Sequence, residues 1–524
     1  MKSSSRAPLA PTLAPALAPP LANANAAGLL WASAGSTPDR DAIVERDRTV
    51  TYAALVAQAS GVVEALGAAG VRPADRVAIL LNRSARAAAA FFGTVATGAI
   101  AINVNETLRP RQIEHILDHC GASVLLTDSS LLAMQPRALR TTAHVIDVAS
   151  IPEGASTSPV PRVGGDMAQI IYTSGSTGLP KGVTITHANL WAGVRAVSLY
   201  VGVTADDRIA SLLPFSFDYG FNQLLCAVGA GATLVIEDSP LPQQIATTLR
   251  EQAVTVLPCV PPLWLQLLTA PAFRDERLPA LRAMTNTGGK IPTEAVRRLR
   301  AAQPHAQLFL MYGLTEAFRA TYLPPDLVDA HPDSIGRSIP GGEILVLRED
   351  GTRCAPGEVG ELVQRGPTVA AGYWNDPEAT ARVYRANPLR APGTPDAERV
   401  VYSGDLVRMD EHGLLYYEGR RDRLIKTLGY RVSPDEIADA LYASGMVVEA
   451  IVGTEEDDAR GTRIIAYVVL VEGATANALQ RFCKMELPRY MQPARIETRA
   501  ALPRTTSGKF DLRAAQAVAA SVSA

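Results

Sequence analysis

The stretch YTSGSTGLPKGVTITHANL, residues 172–190, packs four hydroxyl side chains, three glycines and one lysine into the ten positions from Thr173 to Gly182. The apolar run AQIIY before it predicts a strand, and HANLWAGVRAVSLY after it predicts a helix. Glycines let the intervening backbone bend tightly and turn its N–H groups inward. With the hydroxyls those groups suit phosphate oxygens, and Lys181 adds a positive charge. The spacing is not the P-loop pattern G-x-x-x-x-G-K-[ST], because Gly178 precedes Lys181 by three and Gly182 follows it. The dinucleotide pattern G-x-G-x-x-G is not present in the loop either. Composition therefore favours phosphate binding of another kind, with a plain glycine-serine turn as the alternative.

Outward from this loop the chain alternates short apolar strands with helices. TYAALVAQASGVVEALGAAG carries helical spacing and stops at Gly70, and RVAILL, GAIAINVN and ASVLLTD read as strands. The alternation continues through RIASLLPFSF, ATLVIED, VTVLPCVPP, AMTNTGG and AQLFLMYG. It predicts an α/β fold with parallel-rich sheets. From Gly336 short strands and turns replace it, predicting a β-rich subdomain. After about residue 420 strand and helix alternate in miniature, predicting a small C-terminal α+β domain. The expected organisation is an Ala/Pro-rich disordered tail over 1–28, a large multi-subdomain unit over 29–421 and a small, mobile domain over 422–524.

With 524 residues, of which 47% are apolar, the chain is long enough for more than one core. A formal charge of −2 argues against nucleic-acid coating, and no apolar run reaches the roughly 18–20 residues of a membrane span. Five scattered cysteines form no C-x-x-C pair, so reduced thiols in a cytoplasmic protein are expected.

Four further motifs follow the loop in order: YGLTE (312–316), SGDL (403–406), GRRDRLIKTLGYRVSPDEI (419–437) and LPRTTSGKFDL (502–512). Together with YTSGSTGLPKGV they resemble the adenylate-forming superfamily of AMP-dependent synthetases and ligases, and the resemblance covers nearly everything after the Ala/Pro tail. It implies ATP-dependent activation of a carboxylic acid to an acyl-adenylate with loss of pyrophosphate. A thiol then takes the acyl group and AMP leaves.

The same resemblance implies roles for individual residues. Thr173, Ser174, Gly175, Ser176, Thr177, Gly178 and Lys181 would grip the β- and γ-phosphates. Glu316 would bind Mg²⁺, which keeps several waters and so needs few protein ligands, and Thr315 would touch phosphate. Gly288, Gly289 and Lys290 in TNTGGK would form the adenine shelf, with Tyr312 and Gly313 beside it, although the family often has Ala or Glu where Lys290 stands. Asp405 would accept the ribose hydroxyls and Arg420 would add a second ribose or phosphate contact. Asp422 matches the family's hinge, and Lys509 matches the lysine that bridges carboxylate and phosphate during adenylation. Gly429 and Arg431 would face the thiol substrate. Taken singly, each of these could be an ordinary turn or surface residue.

The acid is less legible. LLPFSFDYGFNQLL lies where the family builds its acyl pocket, with Phe217 and other aromatics, pocket wall or core, around Asp218. Trp264 in VPPLWLQLL is a further wall or core residue. SFDYG resembles the segment of amino-acid-activating members in which an aspartate pairs with the substrate ammonium; a helix-capping or turn role for Asp218 is the alternative. LPFSFDYGFNQL, MYGLTEAFRATYLPP and GYWNDPEAT are similar to acyl-CoA ligases that accompany exosortase systems. The expected co-substrates are ATP with Mg²⁺ and either coenzyme A or the phosphopantetheine arm of a separate carrier protein. A stand-alone amino-acid adenylation enzyme and a non-catalytic nucleotide sensor are the two other readings, the latter disfavoured by the presence of Lys181, Glu316 and Lys509.

Overall fold

The computed structural model describes residues 23–108, 110–135, 137–173, 180–394, 398–420, 425–427, 430–432, 434–457, 461–487 and 491–522. A seven-stranded sheet runs in the spatial order Gly372–Tyr373, Lys181–Thr186, Met167–Thr173, Ile100–Val104, Arg76–Leu80, Val124–Thr127 and His144–Asp147. Its centre is parallel, while Lys181–Thr186 returns antiparallel along Met167–Thr173. The strand before the glycine-rich loop is thus followed by a second strand, and only then by the helix His187–Val201. Thr186 and Asn189 start that helix with a reciprocal capping box, and Gly202 ends it at φ +68°.

The helices Tyr52–Ala68 and Ala85–Ala96 pack against this sheet's side of the core, and their small residues explain how closely. A Cβ on Gly93 would stand 2.6 Å from the Ala59 carbonyl oxygen and 2.7 Å from the Val62 Cβ.

A second, larger sheet has a parallel centre in the order Asp41–Val44, Thr233–Ile236, Arg208–Ser211, Val256–Cys259, Ala283–Asn286 and Gln307–Tyr312. Beyond Gln307–Tyr312 every added neighbour is antiparallel: Thr321–Leu323, Ser334–Ser338, Leu415–Arg420, Arg399–Met409, Val359–Arg365 and Glu343–Leu347. The β-rich portion is therefore bonded edge-on to the α/β sheet.

The smaller C-terminal domain is built on three strands. Val447–Asp457 and Gly461–Leu470 pair antiparallel, and Arg495–Thr498 joins parallel. Ile437, Leu441, Val452 and Cys483 of this domain share one apolar cluster with Leu257, Trp264, Leu308 and Leu310 of the larger part.

The boundary drawn for the tail needs correction. Residues 1–22 lie outside the described residues, but Asn25, Ala26 and Ala27 are buried. The Asn25 amide donates to the carbonyls of Val95 and Val160, both at 2.9 Å, and Trp191 Nε1 donates to Ala24 O. Alanine side chains small enough to fit between helices, plus one satisfied asparagine, anchor this segment where composition suggested only disorder. Gly28 already begins the helix Gly28–Ser36. Among the described residues no helix is long and apolar enough to cross a membrane.

Candidate active site

The parallel strands of the larger sheet deliver their carboxyl ends to one region, the usual place for a ligand in an open α/β sheet. Cys259 leads into Val260 and Pro261, Asn286 into Gly288 and Gly289, and Tyr312 into Gly313, Thr315 and Glu316. Gly288 adopts φ +85°, which disfavours a side chain. A Cβ there would lie 3.0 Å from Val260 Cγ1, 3.6 Å from Phe217 Cζ and 3.7 Å from Lys509 Cε. These contacts bring together the glycine shelf, the aromatic segment and the C-terminal lysine, across more than 200 positions of sequence.

Lys509 stands at the tip of a hairpin-like turn. Thr505 N donates to Lys509 O at 2.7 Å, Gly508 N donates to Thr505 O at 2.9 Å, and Arg504 and Phe510 form a bridge. The turn reaches the large part through Asn105, whose Nδ2 donates to Thr506 O at 3.1 Å. Lys509 Nζ lies 5.9 Å from the centroid of the Phe217 ring.

Asp405 is buried and accepts a hydrogen bond from the Tyr312 hydroxyl. Burial, followed by the Asp405 charge, holds the Tyr312 phenol well above its ordinary pKa, so it remains a donor. The Ser403 hydroxyl accepts from Asp405 N at 3.0 Å. Arg420 pairs with Asp405 across neighbouring strands at the backbone level. Glu316 accepts at Oε1 from the Tyr373 hydroxyl at 2.6 Å. A lone carboxylate steadied by a phenol suits a magnesium ion that keeps most of its water.

Thr173 and Lys181 are the closing pair of the two strands that carry the glycine-rich loop. Ser174, Gly175, Ser176, Thr177 and Gly178 lie outside the described residues. The base of the loop is braced on both sides: His115 Nε2 meets Pro180 O at 3.2 Å, and His119 Nδ1 meets the Tyr172 hydroxyl at 2.7 Å. Lys181 Nζ lies 3.8 Å from Asp376 Oδ2 and 5.9 Å from the Tyr373 ring centroid. Tyr373 thus stands between Lys181 and Glu316.

Asp218 opens the helix Asp218–Ala230 at its first position, directly after the N-cap residue Phe217, which makes no side-chain cap. It is buried and accepts at Oδ2 from Thr315 Oγ1 at 3.0 Å. This ties the aromatic segment to YGLTE. Trp264, expected as a pocket wall or core residue, is core: it is fully buried, its ring centroid 6.2 Å from that of Phe273. Phe221 is core as well, 4.5 Å from Phe91.

The Lys290 side chain has a partner that its shelf motif did not suggest. Its Nζ lies 2.7 Å from Asp439 Oδ2, on the helix Pro434–Ala443 of the small domain. Asp422 and Gly429 lie outside the described residues. Arg431 occupies the short strand Tyr430–Val432, opposite Lys426.

Tyr373, Asp439 and Asn105 complete the site and were not read from the sequence. Tyr373 stands in GYWND without periodic context, and Asp439 is one of several acids on an amphipathic helix. Each gains meaning only from its distant partner.

Residues 30–374 match the AMP-binding enzyme family, and residues 436–509 match the AMP-binding enzyme C-terminal domain. Novobiocin biosynthesis protein H of Streptomyces niveus is 30% identical over 97% of this chain and 84% of that protein. Tyrocidine synthase 3 of Brevibacillus parabrevis is 30% identical over 91% of this chain, which spans only 7% of that much longer protein. Among solved structures, the o-succinylbenzoate CoA synthetase of Bacillus subtilis in complex with its acyl-adenylate intermediate superposes with a TM-score of 0.79. It is 29% identical, and the match covers 92% of this chain and 96% of that one. The same synthetase is also known in complex with ATP and magnesium ion.

Proposed function

Since the chain belongs to the AMP-binding enzyme family, we propose that it is an ATP-dependent acid–thiol ligase with the following chemistry. A carboxylate oxygen of the acid attacks the α-phosphorus of ATP and pyrophosphate leaves, giving the acyl-adenylate. The thiol of coenzyme A, or of phosphopantetheine on a carrier protein, then attacks the acyl carbon and AMP leaves. The observation that carries this reading is the position of Lys509, set between the Phe217 ring and the Gly288 shelf. From there its ammonium would neutralise the two anionic groups forced together in the first step.

The other residues take roles that their surroundings support. The backbone at Gly288 and Gly289 would receive the flat adenine, and Asp405, oriented by Tyr312, would accept from the ribose. Lys181 and Thr173, at the neck of the glycine-rich loop, would meet the departing pyrophosphate. Glu316 would hold Mg²⁺, which supplies charge neutralisation on the phosphates. Arg420 would add a ribose or phosphate contact. Asp422 is the proposed hinge, dividing residues 29–421 from a mobile domain over 422–524, with Gly429 and Arg431 on the thiol side. We place the reaction in the cytoplasm, consistent with five unpaired cysteines, with no nucleic acid involved.

One observation favours an amino acid as the substrate. Asp218 is a buried carboxylate with a single neutral donor among the described residues, Thr315, and an ammonium would complete its pairing.

The test is acid-dependent exchange of labelled pyrophosphate into ATP across fatty, aryl and amino acids. Exchange with at least one acid is expected. Loss of that exchange in Asp218→Asn for amino acids alone would support the amino-acid reading. No exchange across the panel, with ATP still bound, would favour a nucleotide sensor instead.

A further inference from the structure

Two residues beyond Glu316 the backbone turns in a way few chains tolerate. Phe318 adopts φ +59° and ψ −60°, and Arg319 N donates to Ala317 O at 2.6 Å, which together make a γ-turn of the rare, strained kind. The turn drives the Phe318 ring into space left by Gly193, where a Cβ would stand 2.2 Å from Phe318 Cε1. It also sends the Arg319 side chain inward. Arg319 is 2% exposed, and its Nε and Nη2 are buried without a hydrogen-bond partner among the described residues.

A guanidinium buried in this way has in-plane N–H groups that call for acceptors. The Tyr219 ring at 4.7 Å and the Phe318 ring at 5.7 Å stabilise the cation from their faces, but neither accepts its in-plane N–H groups. Those groups present a fork that a planar acceptor would satisfy.

The position says which molecule would bring it. Tyr219 follows Asp218 directly, and its hydroxyl is held by Thr285 at 2.6 Å, next to the adenine shelf. Arg319 Nη1 lies 3.2 Å from where a Cβ on Gly313 would be, so the guanidinium abuts YGLTE itself. Tyr219 also lines a small cavity with Gln223, Cys226, Thr285 and Met311.

We propose that Arg319 reads a second anionic group on the acid, making the preferred substrate a dicarboxylic acid. This rests on the adenylation reading above. The guanidinium fork matches a carboxylate through two parallel hydrogen bonds, and binding replaces two unmade bonds with two charge-assisted ones. Strain in the Phe318 turn is then the means of presenting that fork to the substrate.

The experiment is pyrophosphate exchange with acids paired by carbon skeleton, pentanoate against glutarate and benzoate against isophthalate, each also tried with an α-amino group where one exists. In the unaltered protein, kcat/KM for at least one dicarboxylate should exceed that of its partner by about 100-fold or more. Arg319→Met should erase that preference, leave monoacid exchange within a few-fold, and not lower Tm without substrate, because a buried unpaired charge has been removed. Arg319→Lys should keep part of the preference, having the charge without the fork. Monoacids exchanging as well as diacids would overturn this proposal and leave the adenylation reading standing. An Arg319→Met protein that melts lower and loses both acids alike would make the residue structural and overturn it too. Exchange with no acid would overturn both readings.

Discussion

The Lys290–Asp439 pair is a contact between the TNTGGK segment and the small domain, and its removal has a calculable effect. The side chains are 21% and 28% exposed, and the N–O distance is 2.7 Å. Burial works against the charge on Lys290, but Asp439, Asp435 and Asp333 outweigh it and raise its pKa. Burial raises the pKa of Asp439. Fully exposed pairs contribute about 0–1 kcal/mol, and breaking a fully buried one costs about 3–5 kcal/mol. A half-buried pair should lie between, at about 1–3 kcal/mol. That is a shift of roughly 5- to 150-fold in the balance between domain arrangements. If this arrangement is the one that places Lys509 for adenylation, Lys290→Met should slow pyrophosphate exchange by a factor in that range. Thioester formation from supplied acyl-adenylate should be unchanged or faster. Asp439→Leu should act in the same direction, and the double variant should recover part of the loss. The reasoning is refuted if the double-mutant coupling is below about 0.3 kcal/mol, or if each single substitution slows both half-reactions equally.

Two further outcomes follow from other parts of the structure. His187 is fully buried with Nδ1 accepting from Ala26 N at 3.0 Å, and burial pushes its imidazole down to about 4 from an ordinary 6.5. The unfolded chain then binds the extra proton. Stability is full above about pH 6.5 and falls by about 3 kcal/mol as pH drops towards 4; denaturant midpoints from pH 7.5 to 4.5 should show this, and His187→Asn should flatten the curve. Gly288→Ala places a Cβ 3.0 Å from Val260 Cγ1 at φ +85°, and the strain of about 1–2 kcal/mol should raise the KM for ATP while leaving the far-UV spectrum intact.

Legibility in the sequence differs by region. The parallel strands are legible because each is a short apolar run set between helical segments, some of them closed by glycine or proline, and the motif order suggests that Lys181, Glu316, Asp405 and Lys509 serve one site. The returning strand Lys181–Thr186 is not: KGVTIT alternates at period two, yet its glycine and lysine read as part of the loop. Pairings between distant segments, such as Tyr373 with Glu316 or Lys290 with Asp439, leave no local trace. Arg319 does leave one, a cation inside the apolar run AFRATYL, which marks a charge bound for the interior. The packed segment from Asn23 to Gly28 is hidden because alanine gives the same composition to a tail and to a tight interface.

The measurement that bears most directly on this chemistry is the separation of half-reactions in Lys509→Ala. Pyrophosphate exchange should fall by about 10²–10³-fold, because the cation between acid and phosphate is lost. Transfer of the acyl group from supplied acyl-adenylate to the thiol should stay within a few-fold of the unaltered protein. An equal loss of both steps, or undiminished exchange, would contradict the placement of Lys509 at the adenylation centre.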